Sequence, residues 1–206
     1  MKNAELLVAE YNRIGHDIGT QLQAGISKSD ARDLFRNFLT AGHPVNTPLF
    51  PSELPNELYE MFSWHNGGGE LVPYYDFMSF DEALDSWDLT SEMAEDSVMY
   101  ENGNAVFADT SPFPILNHNN SHFVVMDVGE HSPTRLSIGR MTANGFTSVR
   151  NEFEDLSQFL RAHLECVKAG AYFVGEYGLD FEERSDILSR FRSGKILTVN
   201  GAQLGL

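Results

Sequence analysis

One cysteine, Cys166, stands in a chain of 206 residues. A lone thiol excludes an intrachain disulfide framework and any cysteine-rich zinc site. Basic residues are scarce too: 14 Lys and Arg face 30 Asp and Glu, leaving a formal charge of −16 with histidine neutral. A surface of that sign repels nucleic acid and anionic lipid, so no nucleic-acid or membrane partner is expected. No apolar run approaches the roughly 20 residues needed to cross a bilayer. The opening stretch MKNAELLVAEYNRIGHD is interrupted by Glu5, Glu10 and Asp17, and it lacks the apolar core and cleavage site of a secretory signal. A soluble chain in the reducing cytoplasm is the expectation. The composition, 42% hydrophobic and 12% aromatic, opposes disorder. The length suits a single domain, large enough to fold without a disulfide or a structural metal.

The acidity is local. Residues 1–36 hold five bases and five acids, and residues 135–206 hold nine of each. Between Arg36 and Arg135 lie sixteen acids and no Lys or Arg. The whole net charge therefore belongs to residues 37–134. Its densest part runs Asp76, Asp81, Glu82, Asp85, Asp88, Glu92, Glu95, Asp96, Glu101. Sign asymmetry of this kind marks either a solvated flank or a face for a cationic partner, whose encounter it would accelerate.

Hydrophobic spacing organises the rest. Leu7, Tyr11, Ile14, Ile18 and Leu22 recur at helical intervals and predict a helix over 3–24, stopped by Gly25. Ser27 or Ser29 caps a second helix, with Leu34, Phe35, Phe38 and Leu39 as its stripe, ending at Gly42-His43-Pro44. A linker follows to Pro51. A third helix opens at Ser52 or Leu54 with Pro55 in its first turn, and ends at Gly67-Gly68-Gly69. Val72–Met78 reads as an edge or turn strand. Ser79 with Glu82 three residues on is a capping-box pattern for a short helix. Residues 102–112 are turn-rich. The runs SHFVVMDVG, TRLSIGRM and FTSVRNEF, with Asn144-Gly145 between the last two, predict a three-stranded meander over 121–152. Phe153–Val167 is a helix, AYFVGEYGLD a glycine-punctuated connection, and DFEERSDILSRFR a last helix capped by Asp180. The tail KILTVNGAQLGL adds a strand or frays. Helices, then strands, then helices give an α+β class.

Motifs that carry chemistry are missing. There is no phosphate loop and no calcium loop, and no glycine fingerprint opens a helix. GxSxG, HExxH and CxxC do not occur. His118 and His122 are four apart in HNNSH, but the intervening Asn-Asn-Ser reads as a turn, which need not bring the rings together on a metal. His65 suits a helix C-terminus, where dipole contact favours it. Cys166 reads as a buried thiol. No pair of carboxylates is singled out by spacing. No catalytic residue, metal or cofactor is expected, and the weight moves from enzyme to binding protein.

The stretch LPNELYEMFSWHNGGG, Leu54–Gly69, resembles the signature of the SUKH superfamily, the Smi/Knr type of cell-wall assembly regulator. Leu54-Pro55, Phe62, Trp64 and Asn66-Gly67-Gly68 carry the match. Ser79–Leu84, Pro112–Pro114 and Leu156–Leu160 are similar to later elements of the family. Asn117–Ser121 departs from the Asp and Gly that members often carry there. The resemblance covers about 28–165. It implies one SUKH-like domain over 1–206, with a helical extension at 1–27, an elaboration at 171–206, and a mixed, mainly antiparallel sheet of about six strands covered by helices. It also implies a non-catalytic role, either as an immunity protein that neutralises a toxin in interbacterial competition or as a regulatory scaffold. Many such toxins are nucleases with basic active faces, which an acidic inhibitor could cover. The expected partner-binding residues are Trp64, Asp76, Asp81, Asp85, Trp87, Asp88, Glu92, Glu95 and Asp96, with a tryptophan as apolar anchor. An enzyme of unrecognised type would instead need His65, His118 and His122 around one pocket.

Overall fold

A computed structural model describes residues 1–41, 50–96, 100–101, 104–105, 111–132, 135–142, 150–176, 178–182 and 185–191. The expectations for Gly42-His43-Pro44, Asn144-Gly145 and the tail fall outside these residues.

The first helix, α1, is Lys2–Arg13 and is shorter than its apolar spacing suggests. Gly15 takes φ +88°. The His16 amide donates to Tyr11 and the Gly15 amide to Asn12, a Schellman ending that turns the chain out of the helix. Ile18 and Leu22 are still buried, but from a 3-10 turn at Ile18–Thr20 and the segment after it. The second helix, α2, is Lys28–Thr40, and Ser27 caps it by accepting the Asp30 amide at 3.1 Å. α3 is Asn56–Trp64, with Pro55 just before the first turn. β1 (Glu70–Val72) and β2 (Tyr75–Phe77) form a hairpin about Pro73-Tyr74. α4, Phe80–Asp96, is 17 residues long rather than short.

β3 (Tyr100–Glu101) and β4 (Asn104–Ala105) make a small separate ladder. The principal sheet is completed by β5 (Pro112–His118), β6 (His122–Asp127), β7 (Ile138–Thr142) and β8 (Arg150–Phe153). Its order is β1-β2-β5-β6-β7-β8, with every neighbouring pair antiparallel. The expected α+β class and six-stranded sheet are present, and β6–β8 are the expected meander. The strand β5 lies in mid-sheet although it begins Pro-Phe-Pro. Its prolines sit where only β6 pairs with it; β2 pairs only with Leu116 and Asn117. A missing amide donor therefore costs nothing on that side.

α5 is Leu156–Lys168, capped by Asp155, so Phe153 belongs to β8 and not to the helix. The expected connection after it is a second hairpin, β9 (Tyr172–Gly175) with β10 (Gly178–Phe181). Asp180 lies in β10, and the last helix, α6, is only Ser185–Leu188.

The sheet packs against helices through apolar side chains. Phe77 stacks on Phe62 of α3 at 5.5 Å, and Phe113 meets Trp87 of α4 at 5.0 Å, edge to face. Val124 and Ile138 line a cavity with Phe159 and His163 of α5. α1 lies beside α5, and its Tyr11 hydroxyl donates to the Leu71 carbonyl at 2.9 Å. The buried apolar residues of all these elements form one contiguous cluster.

Candidate functional site

The acidic segment is built on α4. Phe80, Ala83, Leu84, Trp87 and Ser91 are buried, at spacings of three, one, three and four. Asp81, Asp85 and Glu92 are exposed and Asp88 half-buried. Their spacings of four, three and four place them on one stripe, on the side of the helix turned from the core. Glu95 and Asp96 continue α4, but their side chains are outside the described residues. Among the described residues no ion pair is made by Asp76, Asp81, Asp85 or Glu92. The negative charge is therefore presented rather than neutralised.

Not every expected contact residue shares this face. Asp76 is exposed, but on β2. Trp64 is half-buried at the end of α3, with its ring edge-on to His65 at 4.5 Å. Trp87 must be corrected outright: it is fully buried, against Phe35, Phe38, Phe50 and Phe113. It is a core residue and offers no surface to a partner. Its position three after Leu84 on the apolar side of α4 already carried that signal.

No protein-family model matches this chain, and no curated protein matches it.

The junction that aims α4 is the Asn66–Gly69 segment. Asn66 Oδ1 accepts the Phe80 amide at 2.8 Å, satisfying one orphan donor at the helix start. Ser79 and Glu82 close the capping box: the Ser79 amide donates to Glu82 at 2.8 Å and the Glu82 amide to Ser79 Oγ at 3.3 Å. Gly67, at φ +87°, lies so close to Ser79 that a Cβ would stand 2.5 Å from its backbone nitrogen. Asn66 and Gly67 are thus the mould for the start of the acidic helix, while Gly68 and Gly69 lie against Gln21.

A cavity of about 330 Å³ lies between the sheet and α5. Tyr75, Val124 and Ile138 of the sheet, Phe159 and His163 of α5, and Tyr172 of β9 contribute to its walls. Arg140 and Glu152 bring charge, paired at 3.0 Å; the Glu152 side chain is 10% exposed and that of Arg140 46%. Inside, His163 Nδ1 is hydrogen-bonded to the Tyr172 hydroxyl and both side chains are buried. Burial raises the Tyr75 hydroxyl above its ordinary range. None of these residues was singled out from the sequence. The available signal was Arg140 sharing the period-two face of Ile138, and His163 within the apolar stripe of α5.

One rim of the cavity is a clasp between hairpins. The Tyr74 hydroxyl donates to Asp180 Oδ1 at 2.6 Å, and the Tyr74 ring meets Phe181 at 5.8 Å. Glu70 accepts the Leu179 amide at 2.9 Å. The bond from Tyr74 holds the Asp180 carboxyl below its usual range and raises the Tyr74 hydroxyl. A depressed carboxyl contributes above its unfolded value of about 3.9 and is lost as pH falls through its folded value; a raised phenol contributes below about 10 and is lost above that. The clasp is therefore expected to hold between those limits and to loosen below about pH 4. Amide hydrogen exchange at Phe181, whose N–H donates to Asp180 at 2.8 Å, should accelerate there relative to Tyr172. Asp180→Asn should remove that step in the profile.

His118 and His122 come into ring contact, and His65 is held apart from the cavity that His118 borders. His65 Nδ1 lies 2.8 Å from the Gln23 carbonyl, beside the Ala24–His65 bridge. His118 lies at the cavity rim, with Nδ1 on the Tyr74 carbonyl at 2.6 Å and Nε2 near the Asn119 amide at 3.1 Å. Its ring is 5.7 Å from that of His122, across a turn in which Asn119 and Asn120 both take positive φ. Cys166 is buried. Among the described residues no group of three or more His, Cys, Asp or Glu could hold a metal ion, and no helix is long and apolar enough to cross a membrane.

Proposed function

We propose that this chain is a protein-binding domain without catalytic activity, an immunity protein of SUKH type that captures a cationic toxin domain in the cytoplasm. The observation that carries the reading is the stripe Asp81, Asp85, Asp88 and Glu92 on one capped helix, set in a stretch with no Lys or Arg from Asn37 to Thr134. A convergent negative field raises the encounter rate with a basic surface and penalises wrong partners. The basic cleft of a nuclease, built to hold phosphates, is a surface of the required sign.

The residues that carry the SUKH resemblance have structural jobs here. Leu54 and Phe62 are buried in the core. Asn66 and Gly67 set the start of α4. The motif is thus a structural device that presents the helix, while the acids on it supply the chemistry.

The test begins with capture on the tagged full chain from its native host, at low and at high salt. A single basic protein retained at low salt, lethal when expressed alone and harmless when co-expressed, is the expected result. The triple variant Asp81→Lys, Asp85→Lys, Glu92→Lys should then slow association about tenfold or more at low salt, with the difference shrinking as salt rises. Association rates indifferent to the variant would remove the acidic stripe from the interface. A retained partner that is not toxic would favour the regulatory scaffold.

A further inference from the structure

The cavity between the sheet and α5 has features of a ligand site that the acidic helix does not explain. Its volume of about 330 Å³ lies at the low end of small-molecule pockets. A dry apolar cavity of about 150 Å³ is enough for one benzene ring, so this one admits a body of about two rings. Its lining is mainly apolar and aromatic, and its charged groups are Arg140, Glu152 and Glu182, so an anionic ligand has one cationic contact to make.

Arg140 is the group placed to make that contact. Its Nη2 donates to Glu152 at 3.0 Å, and it also hydrogen-bonds the Tyr75 hydroxyl. A guanidinium carries five N–H donors in a fixed fork, so donors remain for a further acceptor. The side chain is 46% exposed and lines the cavity, so those donors can be reached from it. The overall charge of −16 disfavours an anion at long range. That field is screened beyond about 8–10 Å at physiological salt, whereas a charge-assisted bidentate contact acts at hydrogen-bond distance.

We propose that this cavity binds a small apolar carboxylate, its body against Val124, Ile138, Phe153 and Phe159 and its carboxylate on Arg140. The site is independent of the acidic helix, since its walls come from the sheet, α5 and the C-terminal hairpin.

The experiment is calorimetric titration of the full chain with naphthoate, naphthylmethanol and naphthylmethylamine. Saturable binding of naphthoate is expected at one site per chain, at least about tenfold tighter than for the neutral alcohol or the amine, as fits the loss of one charged hydrogen bond. Arg140→Gln should weaken naphthoate about tenfold or more and leave the alcohol unchanged. The proposal is overturned if naphthoate shows no saturation up to a few millimolar, if the alcohol or amine binds as tightly, or if Arg140→Gln leaves naphthoate affinity intact. The comparison of the three ligands on the unmodified chain decides the matter even if the variant does not fold.

Discussion

Trp87→Ala is expected to destabilise the fold by about 3–5 kcal/mol, the range for removing a large aromatic from a packed core. The indole is fully buried and joins α4 to α2 and to the sheet at once, through Phe35 and Phe38 on one side and Phe113 on the other. Collapse around the void is hindered because these neighbours are anchored on separate elements. Trp87→Phe should cost far less, below about 1.5 kcal/mol. It keeps most of the ring contact and removes a buried Nε1 that meets no acceptor among the described residues. Urea unfolding of both variants checks this. A Trp87→Ala protein of unchanged stability would mean that α4 does not pack as described.

Gly67→Ala should cost at least about 2 kcal/mol, for two separable reasons. The first is conformational: an alanine at φ +87° carries the penalty of the left-handed region, about 1–2 kcal/mol. The second is steric, because the new Cβ would stand 2.5 Å from Ser79 N and 2.9 Å from Met78 C, both backbone atoms that no rotamer change can move. Gly15 is the internal control. It has φ +88°, and a Cβ there would meet nothing within 4 Å, so Gly15→Ala should show the conformational cost alone. The difference between the two urea midpoints isolates the clash. Equal midpoints would show that the start of α4 can shift to make room.

What could be read from the sequence follows from the range of each interaction. The capping box at Ser79–Glu82 and the cap at Ser27 are local, so a few residues of sequence contain them whole. The meander β6–β8 was legible because its runs alternate between neighbours in sequence. Periodicity past Gly15 misled in an informative way. Ile18 and Leu22 are buried as the pattern requires, but apolar spacing reports burial, and a glycine with left-handed backbone had already ended the helix. Prolines hid β5, since the pairing that excuses them depends on where β2 stops. Gly175 and Gly178 made a hairpin read as a connection. At Trp87 the residue type suggested an interface and the helical position said core; position was the better guide. The cavity was out of reach because Val124, Arg140 and Phe159 meet only once the sheet is paired and α5 is laid on it.

The end of α4 carries a further consequence. Glu92 stands near the C-terminal end of the helix, Glu95 and Asp96 follow it, and no base lies in the last turn. The carboxylate of Glu92 opposes the helix macrodipole, and no Lys or Arg in the last turn offsets it. A cationic surface docking on the stripe would relieve that opposition at the moment it binds. If a cationic partner docks there, part of its binding free energy would be returned as a firmer fold.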